Sequence, residues 1–162
     1  MKLNRGSTLF LQVVILLIAV GALAGLIRFP QTEGRAANLD LLSIYTDPFI
    51  LYIYIASLSF FVALFQAFKL LGLVDKNQIF SQAAVTTVRN IKYCATIFAS
   101  FIAAAILYIF VMAKATNEDS AGAVAMGVVL IFASAVIATA AAIFQKLLQN
   151  AVDIKSENDL TV

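Results

Sequence analysis

A chain that does chemistry needs groups that move protons, attack a bond or hold a metal, and this 162-residue chain has few of them. It contains no His, which removes the commonest general base and metal ligand. Its single cysteine, Cys94, sits at the start of an apolar run with no acid nearby in sequence to activate it. We read it as a small hydrophobe rather than a reactive thiol, and a lone cysteine excludes an intrachain disulfide. Asp75 and Asp153 are the carboxylates most able to meet, but surface carboxylates are ordinarily solvated or salt-bridged. There is no phosphate-binding glycine loop, no CxxC, no HExxH and no nucleophile elbow, so a metal site would have to be assembled from scattered acids. The expectation is therefore no catalytic residue, no cofactor, no metal and no enzyme.

The polar residues inside the apolar stretches are Gln12, Ser57, Ser59, Gln66, Thr96, Ser100, Ser134 and Thr139. All are neutral, and each can bond a neighbouring helix or its own backbone. Without an ionisable group at mid-membrane depth, a proton-coupled pump, a carrier of charged substrates and an acid-dependent intramembrane protease are disfavoured. Passage of a neutral molecule stays open.

What remains is positive charge. Lys69, Lys76, Arg89 and Lys92 cluster in the middle of the chain. They read first as a topology signal that also touches anionic headgroups. They read second as part of a docking surface for a soluble partner, comprising Lys69, Asp75, Lys76, Phe80, Ser81, Arg89, Lys92, Gln145, Lys146 and Gln149. Four spread charges make a poor nucleic-acid footprint, and no direct nucleic-acid binding is expected.

The elements that hold these residues are apolar helices. The chain is 62% hydrophobic and 12% charged, where soluble domains run nearer half and a quarter, so it belongs with integral membrane proteins whose partner is the lipid bilayer. The first apolar run, Leu9 to Ile27, is about 28 Å long as a helix, close to bilayer thickness. Lys2 and Arg5 before it and Ala22-Leu23-Ala24 within it also fit a signal peptide, a reading weakened because the run continues past that site. Gly21 to Gly25 forms a small-xxx-small patch. Arg28-Phe29-Pro30 is expected to stop this helix, and Asn38 to Tyr45 to form a short interfacial helix or an ordered loop.

Asp47-Pro48 is an N-cap followed by Pro at the first helical position, opening a second span over about 49–71. Gly72 is expected to be its left-handed C-cap. A cytoplasmic elbow follows over 72–92, with Ser81 as cap and Phe80 and Val85 in the positions of a hydrophobic staple. One long helix then starts amphipathic and becomes the third span over about 93–113, with Ala95, Ala99 and Ala103 as a close-packing stripe. Asn117, Asp119 or Ser120 caps a fourth span over about 121–144, which projects as a helical extension and tail over 145–162. Eight Lys and Arg fall with the two termini and the elbow and three with the other links, which places both termini in the cytoplasm. The expected fold is an all-α membrane protein, one domain of four antiparallel up-down-up-down helices.

Particular runs carry a family resemblance. Ser7-Thr8-Leu9-Phe10-Leu11, Gln66-Ala67-Phe68-Lys69-Leu70-Leu71, Asp75-Lys76-Asn77, Phe80-Ser81, Asn90-Ile91-Lys92-Tyr93-Cys94, Gln145 to Asn150 and Asp153 to Val162 resemble bacterial membrane proteins of domain-of-unknown-function family 2975 (DUF2975), the YoaS-like proteins. The resemblance covers nearly the full chain. It implies four spans in a bacterial inner membrane and supplies no activity, substrate or catalytic residue. Members of that family are often encoded beside small helix-turn-helix regulators, so it makes a cytoplasmic regulatory protein a candidate partner. The functional expectation is a non-enzymatic membrane protein whose cytoplasmic face binds or regulates such a partner. The alternative is a small transporter or channel for a neutral or amphipathic molecule, as a homo-oligomer packed through the small-residue stripes.

Overall fold

The computed structural model describes residues 5–32, 44–116 and 119–160. Four long helices account for nearly all of them: α1 Arg5–Thr32, α2 Pro48–Asp75, α3 Gln82–Thr116 and α4 Ala121–Leu160. Each is long and apolar enough to cross a membrane, and no strand occurs among the described residues. The expected interfacial helix lies almost wholly in residues 33–43, outside the described residues.

Two helix ends differ from the sequence expectation. Pro30 does not stop α1, which runs on to Thr32 with Pro30 inside it and buried. Proline there leaves the carbonyl four residues back without a backbone donor, and that carbonyl, on Leu26, accepts the Tyr54 hydroxyl at 3.2 Å. The neighbouring Ile27 carbonyl accepts the Tyr45 hydroxyl at 3.1 Å. A side chain from the next helix thus takes up the bond that the ring removes, so the helix need not end.

Gly72 is not the C-cap. It lies within α2, and the left-handed residue is Asn77, with φ 55°. The Gln78 amide donates to the Leu73 carbonyl at 2.8 Å and the Asn77 amide to the Val74 carbonyl at 3.0 Å, the paired bonds of a Schellman ending. Asn tolerates the left-handed region better than other residues with a Cβ, so α2 can run one further turn before closing.

The starts follow their caps. Asp47 accepts the Phe49 amide at 2.7 Å, Ser81 accepts the Ala84 amide on its hydroxyl at 3.4 Å, and Asp119 accepts the Ala121 amide at 2.9 Å. Val85 is buried while Phe80 is 56% exposed.

Packing follows chain order: α1 lies on α2, α2 on α3, and α3 on α4 in the most extensive interface. Among the described residues no comparable interface joins the outer helices α1 and α4, so the bundle is open. Side-chain contacts fix the directions. Tyr52 meets Phe101 and Phe60 meets Phe98, so α2 and α3 run antiparallel, and Lys92 meets Gln145 while Ile106 faces Gly127, so α3 and α4 do as well.

The seams are narrow and repeat at three and four residues, the period that keeps two helices in register. On α1 a line of buried and half-buried positions runs through Thr8, Gln12, Ile15, Ala19, Ala22 and Leu26 to buried Pro30, and Gly21 and Gly25 are exposed. On α4 a similar line of buried and half-buried positions runs through Gly127, Ile131, Ser134, Ala138, Ala141, Gln145, Leu148 and Val152. Gly127 marks the tightest approach: a Cβ there would lie 2.6 Å from both Cγ1 and Cδ1 of Ile106. The other faces carry exposed Leu, Ile, Val and Phe, as a bilayer-embedded surface requires.

Candidate functional site

The first turns of α3 and the far end of α4 form one structural unit. Ala84, Val85, Thr87 and Val88 are buried, giving the amphipathic start of α3 an apolar floor. Above that floor the Lys92 ammonium donates to the Gln145 side-chain carbonyl at 2.9 Å and lies 4.8 Å from the Tyr93 ring centre. The Gln82 side-chain amide reaches the Gln149 carbonyl at 3.5 Å, and the Gln149 amide donates to Asp153 at 2.8 Å. Polar side chains therefore clamp the two helices together beyond the apolar part of α4.

The ten residues expected to form a docking surface divide into two groups. Lys92, Gln145 and Gln149 are half-buried and occupied in the clamp, so their first task is to hold α3 to α4. Ser81, also half-buried, donates to the Gln78 carbonyl at 2.6 Å and caps α3. Lys69, Asp75, Lys76, Phe80, Arg89 and Lys146 are exposed and present charge and one aromatic ring. Asp75 ends α2 and Lys76 caps it, which places both at the Asn77 turn.

A second feature was not anticipated. Pro48, Phe49 and Tyr52 at the start of α2 and Ala104, Ala105 and Tyr108 near the end of α3 line a half-open cleft of about 240 Å³. Phe49 stacks on Tyr108 with ring centres 5.7 Å apart, and the Tyr52 hydroxyl donates to the Phe101 carbonyl at 2.8 Å. Ala104 and Ala105 leave the space that larger side chains would fill. The sequence signal was the alternation of Tyr and Phe across both helix ends, which reads as interfacial anchoring until the helices are set side by side.

Cys94 is half-buried and unpaired. Among the described residues no group of three or more His, Cys, Asp or Glu is placed to hold a metal ion. Ser57, Ser59, Thr96, Ser100, Ser134 and Thr139 each donate to a carbonyl three or four residues earlier in their own helix, which satisfies them without crossing to a neighbour.

Comparison with known proteins gives a consistent picture. A family model described as "Protein of unknown function (DUF2975)" matches residues 31–162. The chain is 44% identical over 162 residues to a protein of Bacillus subtilis (strain 168) named "Uncharacterized membrane protein YoaS", spanning 99% of this chain and all of the relative. No solved structure matches the chain.

Proposed function

The chain belongs to DUF2975, a family of unknown function, and from that premise we propose a non-enzymatic, multi-pass bacterial cell-membrane protein whose cytoplasmic face binds or regulates a protein partner. The observation that carries this reading is the division of labour around the α3–α4 clamp. Lys92, Gln145 and Gln149 join α3 to α4 through side-chain hydrogen bonds, while Lys76, Phe80, Arg89 and Lys146 are exposed. A fixed frame presenting cations and an aromatic ring suits recognition better than catalysis, since rigid placement lowers the entropy lost on binding. The excess of Lys and Arg at the two termini and the elbow supports a cytoplasmic location for that face.

The test is proximity labelling in cells from a ligase fused to the C-terminus, compared with a Phe80→Ala/Arg89→Glu variant. A soluble protein labelled by the parent and lost with the variant supports the reading. Identical labelling of bulk membrane proteins by both would sink it.

The cleft favours a second reading, a small transporter or channel-like protein for a neutral or amphipathic molecule. Its aromatic walls and lack of charge suit such a ligand. Flux through liposomes that Ala105→Phe abolishes would support this reading over the first.

A further inference from the structure

Where α3 and α4 leave the apolar part of the bundle, three cations come together with no acid beside them in either helix. Lys92 is half-buried, and the groups that hold its ammonium are neutral: the Gln145 carbonyl at 2.9 Å and the Tyr93 ring. Arg89 lies one turn before it on the same side of α3 and is exposed. Lys146, also exposed, follows Gln145 on α4. From Gln82 to Thr116 and from Ala121 to Val152 the two helices contain no Asp or Glu. Asp153 comes two turns after Lys146, where it accepts the Gln149 amide, and Asp75 ends α2.

Helix geometry turns the exposed pair to one side of the α3–α4 seam. Seen along the pair with α3 pointing away, successive residues turn clockwise on α3 and anticlockwise on antiparallel α4, by about 100° each. The step back from Lys92 to Arg89 and the step forward from Gln145 to Lys146 therefore swing to the same side. Phe101, which meets Tyr52, stands on the opposite side of α3 from Lys92, so α2 does not cover this groove. The depth is that of a headgroup layer, since Phe144 ends the apolar run of α4 and Tyr93 begins that of α3. Tyr93 is 54% exposed beside Lys92, as an interfacial aromatic is. Toward the membrane the same side of the groove continues through Thr96 on α3 and Ala142 on α4, small residues along which an acyl chain can lie.

Two cations one turn apart on a helix repel, and a third across the groove adds to that, so the arrangement calls for an anion. We propose that this groove binds the phosphate of an anionic phospholipid, with Arg89, Lys92 and Lys146 on the headgroup and Gln145 holding Lys92 in place. Free phosphate carries the same charge but has no chain for the membrane side of the groove, which is why the lipid is its source. The site goes beyond the docking reading and does not rest on it, since it needs no protein partner. Lys76 and Phe80, in the turn before α3, stay available to one.

The test is native mass spectrometry of the full chain, purified in neutral detergent and supplied with phosphatidylglycerol or phosphatidylcholine of matched chains. The expected result is several-fold greater retention of phosphatidylglycerol, reduced to the phosphatidylcholine level by Arg89→Gln/Lys146→Gln and kept by Arg89→Lys/Lys146→Arg. Lys69→Gln/Lys155→Gln removes as much charge outside the groove and should leave the preference intact. Equal retention of both lipids by the parent, or equal loss in the Lys69/Lys155 variant, would overturn the site. Thermal unfolding separates the two sources of phosphate: stabilisation by inorganic phosphate as large as that by phosphatidylglycerol would overturn a lipid site. Arg89 and Lys146 are exposed, so their neutral replacements leave the packing of the chain in place. Because no partner is present, failure here leaves the docking reading standing.

Discussion

At Asn77 a single backbone angle decides where α2 ends. Its φ of 55° lies in the region where a Cβ is strained, and asparagine bears that strain better than most residues. Asn77→Val should therefore cost about 1–2 kcal/mol, whereas Asn77→Gly should be neutral or mildly stabilising. Gly72, by contrast, is an ordinary helical position with nothing within 4 Å of an added Cβ. Gly72→Ala should stabilise by about 0.5–1 kcal/mol through helix propensity. Thermal unfolding in mild detergent reads all three, and a destabilised Gly72→Ala would return the cap to Gly72. The sequence pointed to glycine because it is the commonest left-handed residue. It could not show that one more turn of helix, closed by Asn77, was available. Pro30 misled for a similar reason: the local rule is sound, but Tyr54 satisfies the Leu26 carbonyl from 28 positions away.

Between elements, the α3–α4 interface depends on small residues in one line. Gly127, Ser134 and Ala141 recur every seven residues and are the most buried positions of α4. At Gly127 a methyl group would run into Ile106, so Gly127→Ala should destabilise by about 1–3 kcal/mol. Ile106→Val removes the Cδ1 in the way and should restore part of that loss. A double-mutant cycle by thermal unfolding measures the coupling, and strict additivity would mean that the two residues do not meet. Hydrophobic runs and caps made all four helices readable from sequence, along with Asp47, Ser81 and one of the choices at Asp119. Helix faces were readable only in part. The stripe of Ala95, Ala99 and Ala103 was visible, but in a run apolar on every side nothing in the pattern says which face meets protein and which meets lipid. The clamp of Lys92 with Gln145 and the aromatic cleft both arise from pairings 50 or so positions apart, so neither could be read from local spacing.

For the molecule as a whole, the extensive interfaces among the described residues join helices in chain order, α1 with α2, α2 with α3 and α3 with α4. Sequence supported four membrane-crossing helices and the family. It expected a bundle without saying whether the first and last helices meet, because nothing in either marks a partner for the other. Packing in chain order also bears on synthesis. Each helix finds its neighbour in the helix made just before it, so a nascent chain has no need to hold an unfinished surface open for a later segment. Ribosome-arrested chains with cysteines at Leu26 and Tyr54, in the Cys94→Ala background, should accept a bifunctional maleimide once α2 has entered the membrane. Cross-linking that waits for α4 would contradict this order. On this view the Tyr54 hydroxyl does more than repair a proline: by closing onto Leu26 it can act as a latch on the first hairpin before α4 is in place.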